Sequence, residues 1–231
     1  MLFRSLLEED RAHEALAIAE RAIARSPQDA GMWLEVGRAC LLLNDCTRAA
    51  GALRRALDQG LKGEPRRDAE RLLRLCMVPG LFLAMRQVDA ALTARDHATA
   101  LRIAAQLVRR ASDSAESWLF LGIVRQRLGH GWRAERALRR ALGIDDNLGE
   151  AHNRLGILLL SQGNLDLGTQ HLLRAGLLSP GDPAPRLHLA QAFALLGRVQ
   201  EGERHLAEAE RLGANPQTLA AIRAQYFARG A

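Results

Sequence analysis

The sequence predicts an all-α fold, a solenoid of antiparallel helix pairs. Three observations carry that expectation. First, the same residues return every 34 positions: Gly122 is followed by Gly156 and Ala190, Gly129 by Gly163 and Gly197, Leu138 by Leu172 and Leu206, and Ala141 by Ala175 and Ala209. Second, apolar residues fall at helical spacing, as Trp118, Leu121, Gly122 and Ile123, then Ala134, Ala137, Leu138, Ala141 and Leu142. Third, Gly122 stands inside a helix, where glycine costs about 1 kcal/mol relative to alanine. A neighbouring helix is therefore expected to cross there too closely for a side chain.

In chain order, residues 1–29 form an amino-terminal capping unit. Its first helix is shortened from Phe3, and its second, Arg11–Arg25, carries Ala15, Ala19 and Ala22 and closes at Ser26-Pro27. Residues 30–63 form a full repeat, with Asn44-Asp45 in place of the turn glycine. Ala134 maps back 34 residues to Ala100, but the next match, Ala49, lies 51 residues further back. That is one and a half periods, so one extra helix is expected over 64–80. Pro65 suits its first turn, Leu72, Leu73, Cys76 and Met77 share a stripe, and Arg66, Arg67, Arg71 and Arg74 lie opposite. Pro79-Gly80 then breaks it. Residues 81–114 form a divergent repeat with Val88 in place of the glycine, and 115–148, 149–182 and 183–216 are the regular repeats. Residues 217–231 form a carboxy-terminal capping helix, opened by Asn215-Pro216, with Leu219, Ile222 and Tyr226 on one face.

The repeat reads Trp33-x2-Val36-Gly37 and Trp118-x2-Leu121-Gly122 in its first half, and Ala49-x3-Leu53-x2-Ala56 and Ala134-x3-Leu138-x2-Ala141 in its second. This unit resembles the tetratricopeptide repeat (TPR) family, and Pro27 and Pro180 stand where that family ends a repeat. Cys40 and Arg125 replace its usual tyrosine, and Gly168 and Gly202 its second-helix alanine. Restoring alanine at those two glycines is expected to stabilise by about 0.5–1 kcal/mol each.

The resemblance implies a superhelix whose first helices line a concave, peptide-binding face. On that pattern the lining residues are Leu34, Arg38 and Leu41; Phe82, Met85, Asp89 and Leu92; Glu116, Leu119, Ile123 and Gln126; Glu150, Asn153, Ile157 and Leu160; and Leu187 and Gln191. Relatives that clamp acidic chaperone tails carry lysine, asparagine and arginine there. Here only Arg38 and Asn153 match in type, so the expected partner is an apolar or amphipathic protein segment, with self-association into a homodimer as another way to cover the face. Arg38, Asp89, Glu116 and Asn153 are expected to fix its register.

Composition agrees with a folded, water-soluble chain, at 48% hydrophobic and 25% charged residues. MLFRSLLEED meets acidic residues at once and no run approaches about 18 apolar residues, so neither a secretory signal nor a membrane span is expected. A cytoplasmic location follows, with Cys40, Cys46 and Cys76 as reduced thiols. The net charge of +6 is spread along the chain and is nearly all arginine, Lys62 being the single lysine. Nucleic-acid binding is not expected on that distribution. No phosphate loop, G-x-S-x-G or H-E-x-x-H occurs. His171, His188 and His205 are 17 apart, half the period, which is repetition and not a ligand cluster. Arg54-Arg55 and Arg139-Arg140 read as solvated faces, and Trp132 as an isolated surface aromatic. The expectation is a non-enzymatic adaptor without metal or cofactor. Its alternatives are a chaperone for a secretion or membrane-assembly client, or a docking subunit for an enzyme on another chain.

Overall fold

The computed structural model describes residues 9–78 and 80–227. Among them are thirteen α-helices and no strand. They fall into two compact units, one up to Ile103 and one from Ala104. The first holds α1 (Glu9–Arg25), α2 (Ala30–Leu42), α3 (Cys46–Asp58), α4 (Gly63–Met77) and α5 (Leu81–Thr93); α6 (His97–Arg110) contains the boundary. The second holds α7 (Ala115–Arg127), α8 (Gly131–Ile144), α9 (Gly149–Ser161), α10 (Leu165–Leu178), α11 (Pro183–Leu195), α12 (Val199–Arg211) and α13 (Pro216–Ile222), closed by a π-helical turn over Arg223–Phe227. The short helix expected from Phe3, the proline of Pro79-Gly80 and the last residues of the capping segment lie outside the described residues.

First helices start at polar caps in three of the repeats. The side chains of Asp29, Ser114 and Asp182 accept backbone N–H groups of the opening turns of α2, α7 and α11. They end on a residue of positive φ, after which the next N–H reaches five residues back: Asp45 to Cys40, Asp96 to Ala91, His130 to Arg125, Asn164 to Leu159 and Arg198 to Phe193. Glycine supplies that conformation at Gly129, Gly163 and Gly197, and Asn44 and Arg95 adopt it with φ of 59° and 58°. The loss of the turn glycine therefore leaves the turn geometry intact.

In three of the pairs the helices meet at the glycine that the sequence singled out. A Cβ on Gly122 would stand 2.8 Å from Leu138 Cδ2 on α8, and one on Gly156 2.7 Å from Leu172 Cγ on α10. In α11 and α12 the small residues are exchanged: Ala190 lies in the first helix and Gly202 in the second. A Cβ on Gly202 would lie 2.9 Å from Ala190 O and 2.7 Å from Phe227 Cζ, and one on Gly168 would lie 3.0 Å from Gly156 O and 2.9 Å from Leu160 Cδ2. The expected gain from alanine at these two positions is thus reversed, because each helix already touches its neighbour's backbone there.

The extra helix α4 stacks on α2 and α3 in the way that α9 stacks on α7 and α8, and α11 on α9 and α10. It takes the place of the next first helix, and Ala69 and Leu72 join the buried core of α2 and α3. Met77, expected on the packed stripe, is 70% exposed, and the next residue, Val78, is buried instead. In the second unit, Leu219 and Ile222 of α13 close the core beneath α11 and α12, with Tyr226 and Phe227 packed at its edge.

A further contact ties three of the joints to the helix that follows. Trp33 donates its ring N–H to Pro27 O at 2.9 Å, and Trp118 to Ser112 O at 2.8 Å. His152 holds the same position in the next repeat, and its Nε2 lies 3.0 Å from Asp146 O. All three rings reach six residues back.

Candidate binding surface

The residues that family likeness places on the concave face divide by burial. Leu34, Leu41 and Phe82 are 3%, 1% and 4% exposed, inside the core of the first unit. They present no surface to a partner, which corrects their assignment to the lining. The physical reason for Leu34 and Leu41 is α4, whose Ala69 and Leu72 close over the same cluster. Arg38 is likewise engaged: its guanidinium bonds Asp68 of α4 at 2.6 Å and Glu35 at 2.5 Å. Met85, Asp89 and Leu92 on α5 are half-buried.

In the second unit the row remains accessible. Glu116, Leu119, Ile123 and Gln126 on α7, Ile157 and Leu160 on α9, and Leu187 and Gln191 on α11 are half-buried, and Glu150 is exposed. The apolar members also serve packing. Leu119 packs against the buried cluster that holds Leu138 and Leu155, and Ile157 and Leu160 against the one that holds Leu172, Leu189 and Phe193. The carboxylates are held in place: Ser114 Oγ donates to Glu116 at 2.9 Å, and Arg154 Nε to Glu150 at 3.0 Å.

Asn153 departs from the row. It is 7% exposed, with its Oδ1 2.9 Å from Nδ1 of His188 on α11. It joins two first helices and is not offered to a ligand, a second correction. Burial pushes His188 down to about 4, with Arg154 acting in the same direction, so the ring is neutral and its Nδ1–H donates to the amide oxygen.

Sequence reasoning passed over a second histidine contact. His152 and His171 meet Nδ1 to Nδ1 at 2.9 Å. The bond from His152 Nε2–H to Asp146 O assigns the tautomer, leaving Nδ1 as the acceptor for His171 Nδ1–H. His171 is lowered by burial and then by His152 and Arg139. The two residues are 19 apart, off the half-period, so spacing gave no sign of them. Among the described residues no group of three His, Cys, Asp or Glu side chains is placed to hold a metal ion. No single helix among them is long and apolar enough to cross a membrane.

Residues 1–63 match the family model for the tetratricopeptide repeat. No curated protein matches the chain in sequence. Among solved structures, the chain resembles YrrB, described as a TPR protein with an unusual peptide-binding site, at a TM-score of 0.52 and 16% identity over 89% of this chain and 97% of that one. It resembles a thermophilic TPR protein of Thermus thermophilus at a TM-score of 0.51 and 19% identity, over 84% of this chain and 97% of that one. It also resembles the Cut9–Hcn1 hetero-tetramer of the APC/C, at a TM-score of 0.55 and 17% identity, over 94% of this chain and 40% of that one. Residues 1–63 thus resemble the tetratricopeptide repeat in sequence, and the chain shares the all-helical solenoid fold of solved TPR proteins.

Proposed function

We propose that this protein is a non-enzymatic adaptor that binds an amphipathic or apolar protein segment along the first helices of its second unit. The observation that carries the reading is the row on α7, α9 and α11. There Leu119, Ile123, Ile157, Leu160 and Leu187 keep part of their apolar surface in water beside Glu116, Gln126, Glu150 and Gln191. Such a stripe suits an amphipathic helix or an extended chain, whose apolar side it buries and whose polar edges it orients. The peptide-binding site of YrrB, a TPR protein of similar fold, supports the same reading. The first unit contributes less, because α4 and the core occupy Leu34, Arg38 and Leu41. The free thiols of Cys40, Cys46 and Cys76 fit a reducing, cytoplasmic setting.

The test is capture from a lysate by the intact chain beside the variant Ile123→Glu/Gln191→Lys. Both residues are half-exposed, so helicity and melting should be retained while a defined partner is lost. Many apolar clients in place of one would mark a chaperone. Unchanged capture by the variant would overturn the surface.

A further inference from the structure

The α7–α8 turn carries a group of side chains for which the stripe on the first helices has no use. Trp132, in the first turn of α8, is 59% exposed. The chain's other tryptophans, Trp33 and Trp118, are anchored through their ring N–H groups, whereas Trp132 packs into no core cluster among the described residues. Arginines surround it. The guanidinium carbon of Arg133 lies 5.0 Å from its ring centre and that of Arg136 5.9 Å. Arg125, near the end of α7, donates from Nη1 to Arg133 O at 3.1 Å and joins the group.

None of these arginines is paired with a carboxylate among the described residues. Burial lowers the pKa of Arg125, and Arg133 and Arg136 lower it further, as expected for like charges gathered without a counter-ion. The one acidic side chain of α8, Glu135, is engaged elsewhere, by Arg139 at 2.9 Å and Gln162 at 3.2 Å. Two guanidinium groups lie over the exposed indole and a third, that of Arg125, is held to the backbone beside them, so the mutual repulsion of the three charges opposes the stability of the free chain. A bound anion would offset that cost.

We propose that Trp132 with Arg125, Arg133 and Arg136 forms a second docking site, separate from the first-helix stripe, for an acidic protein segment that places a flat or branched side chain beside its carboxylates. Guanidinium forks match carboxylates in bidentate geometry, and the indole face offers apolar area at small entropic cost. A protein segment fits better than a nucleic-acid strand because the aromatic surface is confined to one indole. The Glu135–Arg139 pair neutralises part of the next turn of α8, and the site offers a single exposed ring, whereas grooves that track a strand stack successive bases on several aromatic side chains.

The experiment uses the full chain and two capped peptides, Glu-Asp-Phe-Asp-Glu and its amide counterpart Gln-Asn-Phe-Asn-Gln, followed by tryptophan emission. The acidic peptide should give a saturable change that weakens with added salt, and the amide peptide should not. The change should vanish in Trp132→Phe. Binding should weaken about tenfold or more in Arg133→Gln/Arg136→Gln, and stay intact in Ile123→Glu/Gln191→Lys, which separates this site from the stripe. Equal binding of the two peptides, no saturable response to the acidic one, or tighter binding of a single-stranded oligonucleotide or an anionic vesicle would overturn the proposal. The two peptides on the unaltered chain decide the matter even where a variant fails to fold.

Discussion

His188 shows how one buried side chain sets a condition for the fold. Burial holds it near 4, against 6.5 in the unfolded chain, so it folds as the neutral ring. At pH above 6.5 both states are neutral and the group makes no demand. As pH falls from 6.5 towards 4 the unfolded chain takes up a proton that the native one refuses, and stability is lost, on the order of 3 kcal/mol by pH 4. His171 and His205, also lowered chiefly by burial, act in the same direction. Denaturant melts across that interval should show the fall, and His188→Gln should flatten it. A second expectation at this scale is that Gly202→Ala costs about 1–2 kcal/mol, read as a lower melting temperature, since the new methyl meets Ala190 O and the Phe227 ring. At single residues the sequence was informative about Gly122 and uninformative about Asn153. A glycine inside a helix reports a close crossing wherever it occurs. The burial of Asn153 depends on a histidine 35 residues away, on a helix whose approach no local pattern encodes.

Among the elements, α4 was legible as an extra helix and illegible in its placement. The 51-residue interval announced half a repeat, and against the expected segment 64–80 the structure has α4 over Gly63–Met77. Which surface it covers depends on packing across α2 and α3, where Ala69, Leu72 and the Asp68–Arg38 bond settle the docking. Leu34 and Leu41 were assigned to an open face because the family pattern places the same positions on the concave side in every repeat. Leu72→Ala should cost about 2–4 kcal/mol by opening a cavity in the first unit, whereas Asp68→Ala should cost under about 1 kcal/mol, since Arg38 is more than a third exposed. Chemical denaturation of both variants would rank them. An equal cost would mean that the ion pair, and not the apolar face, seats the helix.

For the whole molecule, repetition made the fold legible, because a pattern copied five times is hard to mistake. The ring N–H contacts of Trp33, Trp118 and His152 have a consequence for where the chain accepts a change of length. Each fixes a six-residue span between one helix pair and the next, like a ruler set into the joint. The corresponding residue of the last repeat is Arg186, which turns instead to Glu208 at 3.0 Å and leaves its joint without such a gauge. One glycine inserted after Asp113 should therefore lower the melting temperature more than the same insertion after Gly181. Tags, linkers or guest domains would be accommodated at the last joint and resisted at those the rings span.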